Sequence, residues 1–174
     1  MRTRLALTAA VAGAVALVAP SALAASGPPV LDGKKVKELK LDAAAGPQTH
    51  DESLATGFAT GEDRMQCGPE RCAVLPFVYK PAKGVKGDVL FSINWNTPGS
   101  DFDLYVVQID KNGRTKVGSC GGSAGLSEKV FLSADNFKPG KTYGLLADFY
   151  RTPGEKVTGS VTMPASNTIK TTVP

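Results

Sequence analysis

The chain has 174 residues, of which 42% are hydrophobic and 21% charged, and its formal net charge is +4. This length suits one domain with a hydrophobic core and disfavours two domains. The weak net charge, with acidic and basic residues interspersed, argues against a nucleic-acid partner. The densest basic stretch, residues 34–40, also contains Glu38 and two apolar residues, and we interpret it as a solvated face.

Residues 1–24 are predicted to be a secretory signal peptide. Arg2 and Arg4 precede an apolar run from Leu5 to Val18, and the small-residue site Ala22-Leu23-Ala24 follows. The run of about 14 residues is shorter than the roughly 20 that span a bilayer core. We therefore expect a mature, secreted chain that begins near Ala25 and does not insert into a membrane. Loss of the two arginines lowers the basic count from 20 to 18 against 16 acidic residues.

Residues 25–51 are predicted to be a linker with one short element. They are rich in Ala, Gly, Pro and Lys, and their only periodic apolar positions are Val36, Leu39 and Leu41. His50, the one histidine of the chain, lies in a polar stretch before every confident strand. A catalytic triad needs a histidine held in a packed framework, so no catalytic residue is predicted.

Export permits disulfides, and the chain has three cysteines: Cys67, Cys72 and Cys120. The Gly-Pro turn between Cys67 and Cys72 favours a local bridge that leaves Cys120 free. A bridge from either of the first two cysteines to Cys120 is the alternative. Zinc would require a fourth ligand, so a cysteine metal site is not predicted.

Residues 52–164 are predicted to form an antiparallel β-sandwich of about eight strands. Apolar and polar residues alternate in short segments, which is typical of strands with one buried face. Pro76 marks an edge strand or a bulge, Asn112-Gly113 predicts a tight hairpin turn, and Pro-Gly pairs separate later strands. Residues 165–174 are predicted to be a flexible tail. The apolar phases are Ala73, Leu75, Phe77 and Tyr79; Val89, Phe91, Ile93 and Trp95; Phe102, Leu104 and Val106; Tyr143, Leu145, Ala147 and Phe149; Val157, Val161 and Met163.

Four motifs carry a family resemblance: Ser100-Asp101-Phe102-Asp103-Leu104-Tyr105-Val106, then Val117-Gly118-Ser119 with a glycine-rich loop, then Ser127-Glu128-Lys129-Val130, then Pro139-Gly140-Lys141-Thr142-Tyr143. In type and order they resemble the bacterial pre-peptidase C-terminal domain, over roughly residues 88–163. The resemblance implies a jelly-roll-like β-sandwich that accompanies secreted peptidases and other exported enzymes. It also implies a role in targeting, secretion or substrate binding rather than catalysis.

Asp101 and Asp103 are the most notable polar pair. At positions i and i+2 of a strand, their side chains share a face with Cα atoms about 7 Å apart. Glycoside hydrolysis instead needs carboxyls that face each other across the scissile bond. Two interpretations remain open: the pair accepts N–H groups from the Gly99-Ser100 turn, or it binds calcium with Asn96 or loop carbonyls. Calcium is the only cofactor predicted.

Tyr105 and Tyr150 are candidates for a binding surface because they lie out of phase with their apolar neighbours, whereas Trp95 belongs to the core phase. The glycine-rich residues 118–125 lack the Gly-Lys-Ser/Thr ending of a phosphate loop and are interpreted as an inter-strand connection.

The function predicted is therefore that of a secreted, non-catalytic binding or accessory module, expected to be a monomer. Its expected partner is a protein or polysaccharide outside the cell, not a nucleic acid. The first alternative is a secreted enzyme inhibitor, for instance of a protease, that presents the Cys67–Cys72 loop with Glu70-Arg71 as bait. The second is a cell-surface structural protein crosslinked through Cys120.

Overall fold

The computed structural model describes residues 27–49, 68, 71–120 and 125–165. Within them the chain forms ten strands and one three-residue 3₁₀ turn, Ala134–Asn136. The strands are β1 (Val30–Leu31), β2 (Glu38–Ala45), β3 (Gln48–Thr49), β4 (Cys72–Tyr79), β5 (Val89–Asn94), β6 (Asp101–Asp110), β7 (Gly113–Cys120), β8 (Ser127–Leu132), β9 (Thr142–Thr152) and β10 (Glu155–Thr162).

The strands form two sheets whose order is that of a jelly roll. The six-stranded sheet runs β1-β4-β9-β6-β7, with β3 also paired to β9, and the four-stranded sheet runs β2-β10-β5-β8. Strand pairs are nested along the chain: β2 with β10, β4 with β9, β5 with β8, and β6 with β7. From the outermost pair inward, the pairs belong in turn to the four-stranded and the six-stranded sheet. This arrangement is that of a jelly roll, in which one long hairpin folds around a core. The predicted jelly-roll-like sandwich is confirmed.

The core lies between the two sheets and consists of the residues that the alternation selects. Phe77, Phe91, Phe102 and Leu104 are fully buried, and Trp95 is 3% exposed. The Trp95 and Phe102 ring centroids lie 5.2 Å apart. Full burial of each such side chain contributes roughly 1.5–3 kcal/mol to stability relative to exposure. The two sheets therefore pack through the faces that carry these apolar side chains.

The region predicted to be a linker is part of the sandwich. Residues 30–49 contain three strands, and β2 pairs with β10 along its whole length. Leu41 and Ala45 of β2 face the core. The alternation of β2 is weak in the sequence because half of its residues are alanine or lysine, which give little contrast between the two faces. The predicted signal peptide, His50, Cys67 and residues 166–174 lie outside the described residues.

The β6–β7 connection is the predicted hairpin, but of the predicted turn pair Asn112-Gly113 only Gly113 has a positive φ. Asp110 pairs with Gly113, so Lys111 and Asn112 form the turn. In the described residues only glycines have positive φ, and Gly113, at 122°, supplies the positive φ that follows this turn. Asn112 instead donates its backbone N–H to Asp110 Oδ1 at 2.7 Å, an Asx-type bond that stabilises the turn.

The β6–β7 turn lies at the end of the sandwich where β9 begins, because Ile109 pairs with Thr142. Three connections between the sheets meet at the same end, which we call the crossover end. They are residues 32–37 between β1 and β2, residues 80–88 between β4 and β5, and residues 133–141 between β8 and β9. Each passes from one sheet to the other. Together they close this end of the core.

Candidate functional site

The β6 aspartate pair, Asp101 and Asp103, lies as predicted on one face of β6, the face turned away from the core. Both residues are partly buried. Asp101 is opposite Arg151 and Asp103 is opposite Asp148 on β9, and Asp148 is only 2% exposed. The structure thus adds a buried carboxylate, Asp148, on the neighbouring strand, which sequence analysis did not place beside the pair.

Tyr105 is buried, which corrects its predicted role as a surface residue. It is 7% exposed and packs with Cys72, Val107 and Leu146 in a second apolar cluster on the outer face of the six-stranded sheet. Its hydroxyl donates to Asp103 Oδ2 at 3.4 Å. Burial, together with the negative charges of Asp103 and its β9 neighbour, raises the pKa of Tyr105 far above its usual 10. The phenol therefore stays neutral and serves as a packing and hydrogen-bonding group.

Tyr150 does not join Tyr105 in a common platform. The register of β6 and β9 places Leu146 opposite Tyr105, and it slips by one residue at Tyr150, which is partly buried. Tyr150 lies four residues further along β9, about 13 Å from the position opposite Tyr105. The predicted tyrosine surface is not assembled.

A carboxylate that sequence analysis missed, Glu155, holds the entry to β6. Its Oε2 accepts the backbone N–H groups of Asn96 at 2.9 Å and Thr97 at 3.0 Å, and its Oε1 accepts the Ser100 hydroxyl. Partial burial opposes ionisation of Glu155, but these three donors outweigh it and hold the pKa of the carboxyl below its usual value. Glu155 therefore fixes the loop that precedes β6, and hydrogen bonding of the β6 aspartate pair to the Gly99-Ser100 turn stays a prediction.

Calcium binding by Asp101, Asp103 and Asn96 stays a prediction. The backbone of Asn96 is held by Glu155 in the loop that precedes β6. Within the described ranges, no group of three or more histidine, cysteine, aspartate or glutamate side chains is placed to hold a metal ion. A calcium site here would depend on the two aspartates together with amide and backbone oxygens.

Cys72 is disulfide-bonded, and the sheet order limits its partner. Cys67 lies outside the described residues, and Cys120 ends β7. Two strands, β9 and β6, separate β4 from β7. Three strand spacings amount to about 14 Å, twice the largest Cα separation that a disulfide spans. This order supports the predicted Cys67–Cys72 pair, whose second member stays a prediction.

Arg71, the arginine of the proposed bait, is held against the sheet. It is partly buried, with its Nε atom inaccessible to solvent, and its carbonyl accepts the Phe149 N–H at 2.8 Å. Its neighbour Glu70 lies outside the described residues. An inhibitor's bait side chain must project into an enzyme cleft, and the position of Arg71 favours a structural role instead.

The crossover end concentrates the net positive charge of the residues that the structure describes. Its three loops contain eight lysines and three aspartates, a formal net charge of +5. The other described residues contain eight basic and eight acidic side chains and are neutral overall. Charges interspersed along the sequence are therefore segregated by the fold. The eight lysines, all exposed, are Lys34, Lys35, Lys37, Lys80, Lys83, Lys86, Lys138 and Lys141.

Two of the three aspartates at the crossover end bond to the protein itself. Asp32 Oδ1 accepts the backbone N–H groups of residues 34, 35 and 36 at 2.7–2.9 Å. Asp88 is 5% exposed, pairs with Lys86 Nζ at 2.8 Å and accepts the Ala134 N–H. Among the described residues, Lys86 is the only one of the eight lysines in an ion pair. These two aspartates thus stabilise the loops, and the lysine side chains face solvent.

The three loops are fastened to one another. The Ala82 N–H donates to the Asp32 carbonyl at 2.9 Å, and the Ala134 N–H donates to Asp88 Oδ1 at 3.0 Å. Gly87 is packed so closely that an added Cβ would lie 2.1 Å from the Tyr79 hydroxyl, which donates to the Gly87 carbonyl. The lysines therefore project from a connected platform, which lowers the entropy cost of binding a ligand.

No family model and no curated protein matches this chain. Among solved structures, it is similar to the mitogen YPM from Yersinia pseudotuberculosis, at 8% identity and a TM-score of 0.42, over 78% of this chain and 92% of that chain. It is also similar to PliG of Aeromonas hydrophila, a periplasmic inhibitor of g-type lysozyme, at 9% identity and a TM-score of 0.33, over 78% of this chain and 94% of that chain. Likeness at this level says nothing about function. In the part of the chain that the structure describes, no helix is long and apolar enough to span a bilayer.

Proposed function

We propose that this chain is a secreted, non-catalytic binding module of the pre-peptidase C-terminal type, and that it holds a negatively charged partner outside the cell through its crossover end. The observation that carries the proposal is the segregation of charge: all of the net positive charge of the described residues lies in three connected loops. A single-sign patch of this kind attracts and retains an oppositely charged partner. The jelly-roll strand order is also the fold that the family resemblance implies.

Loop lysines suit this role because their charges act together. The two sheets that the loops bridge lie about 10 Å apart, close to the screening length of about 8 Å at physiological ionic strength. A charged partner at this end therefore experiences several lysines at once. Asp88 offsets the charge of Lys86, with which it pairs, and Asp32 keeps its negative charge within its own loop. The lysines outnumber these aspartates and Asp135, so the three loops keep a formal net charge of +5.

A matched pair of triple variants tests the proposal. The loop variant takes one lysine from each crossover loop: Lys35→Gln, Lys83→Gln and Lys138→Gln. The sheet variant takes three exposed lysines from the outer face of the four-stranded sheet: Lys40→Gln, Lys129→Gln and Lys156→Gln. Both lose three positive charges, so total charge is the same. Exposed substitutions of this kind change stability little, which thermal melting verifies.

The measurement is co-sedimentation of the mature protein with cell envelopes of the producing organism at 50 mM NaCl. Each lysine near a densely anionic surface contributes roughly 1 kcal/mol, so the loop variant should bind on the order of 100-fold more weakly than wild type. The sheet variant should bind like wild type. Equal retention of the two variants contradicts the proposal.

A further inference from the structure

We infer that the ligand of the crossover end is a linear polysaccharide that carries regularly spaced negative groups, such as carboxylates or sulfates. This inference rests on the proposed function and specifies its partner. Three features of the crossover end support it: the kind of cation, the absence of exposed rings and apolar side chains from the loops, and the shape of the platform.

Most of the cations at this end are of one kind. All eight basic residues in the three loops are lysines, and Arg114, which lies beside the β6–β7 turn at the same end, is partly buried. Arginine is the residue that recognises phosphates and base edges through fixed, bidentate hydrogen bonds, whereas lysine offers a mobile point charge. A surface whose exposed cations are mainly lysines suits a ligand with many similar charges and no single group that requires a defined geometry.

The aromatic residues near the crossover end are packed inward. Tyr79, Phe137 and Tyr143 are buried, and the Tyr79 and Phe137 rings stack with centroids 4.8 Å apart. In the described residues the exposed large hydrophobic side chains are Val30 and Leu126, and neither lies in the three loops. Single-stranded nucleic acids bind to exposed aromatic rings, and membrane-surface proteins insert apolar side chains among lipids. The crossover end offers neither feature.

The platform is a broad cap and not a projecting element. Its lysines come from three loops that each bridge the two sheets, so they are spread in two dimensions over the end of the sandwich. The only helical element among these loops is a three-residue turn. The β6–β7 hairpin turns at the same end, but it extends beyond β9 only by its turn residues, because Ile109 still pairs with Thr142. It is therefore too short a projection to enter a DNA groove. A flexible, charged chain that lies across the cap meets lysines of all three loops.

The experiment measures binding of wild type, the loop variant and the sheet variant to carboxymethyl-dextran and dextran sulfate, with unmodified dextran as the matched neutral polymer. Contact with about five lysines predicts a slope near −3.5 in log affinity against log salt, using the value for single-stranded polyelectrolytes. Affinity should then fall on the order of 100-fold between 50 and 200 mM NaCl. The loop variant should reduce the steepness of this slope by about 2, and the sheet variant should leave it unchanged.

Duplex DNA and vesicles with anionic lipid serve as the competing ligands at matched salt. Tighter binding to either of them than to both charged dextrans overturns the inference, as does binding to unmodified dextran or to none of these polymers. These outcomes leave a loop-dependent envelope interaction in place, so failure of the polysaccharide assignment is distinct from failure of the proposed function. Equal slopes for the loop and sheet variants also overturn the inference.

Discussion

Replacement of Glu155 by glutamine should destabilise the sandwich in a pH-dependent manner. The carboxylate accepts three hydrogen bonds from the loop that leads into β6, two from backbone N–H groups and one from Ser100. A hydrogen bond to a charged group contributes about 1 kcal/mol more than one to a neutral group. Because the site is partly open to solvent, we reduce the total for three bonds to about 1–2 kcal/mol. The melting temperature at pH 7 should then fall by roughly 4–8 °C.

The sign of the pH dependence follows from the lowered pKa of Glu155, whose usual value is 4.5. Stabilisation by the ionised carboxylate is fully present above that value and is lost as pH falls through the lower pKa of the folded state. Thermal melts of wild type and Glu155→Gln should therefore differ most above pH 5 and converge toward pH 3. Glu38→Gln, which removes an exposed carboxylate 3.8 Å from Lys40 Nζ, is the control and should have little effect. A gap that is absent at pH 7, or equally large at pH 3, refutes the assigned role of Glu155.

Three further predictions concern packing, the disulfide and calcium. Gly87→Ala should lower the free energy of unfolding, measured by urea titration, by about 2 kcal/mol, because its Cβ would lie 2.1 Å from the buried Tyr79 hydroxyl. The control Gly46→Ala places no atom within 4 Å of the added Cβ and should leave that free energy unchanged. Peptide mapping of the secreted protein should find Cys67 linked to Cys72 and the third cysteine alkylatable, and a bridge that includes the third cysteine would show the pairing to be wrong. If calcium binds the β6 aspartate pair, a hundredfold excess over its dissociation constant adds about 2.7 kcal/mol and raises the melting temperature by several degrees. A melting curve that is identical in calcium and in chelator contradicts that site.

The strands that carry the core could be predicted because their signal is local. Period-two alternation shows directly which side chains share a face, and burial of Phe91 and Trp95 between the sheets follows from it. The same reasoning failed for β2, since alanine and lysine contribute little contrast between a buried and a solvated face. It also failed for Tyr105, because the outer face of the six-stranded sheet carries a second apolar cluster of its own.

The groups that define the candidate sites depend on contacts between distant parts of the chain. Glu155 is separated by 58 residues from Thr97, whose N–H it accepts, and no local pattern indicates that pairing. Only the nested strand order brings a β10 carboxylate to the loop between β5 and β6.

The distribution of charge also separates what local sequence predicts from what the tertiary structure decides. The sequence by itself determined how many lysines there are and that acidic residues lie among them, and from this the charge is expected to be diffuse. The tertiary structure decided that three lysine-bearing connections cross between the sheets at the same end, where Asp88 pairs with Lys86 and Asp32 bonds within its own loop. The physical reason is that strand alternation is a property of neighbours along the chain. The meeting of loops, in contrast, is a property of sheet order, which depends on the pairing of segments far apart in sequence.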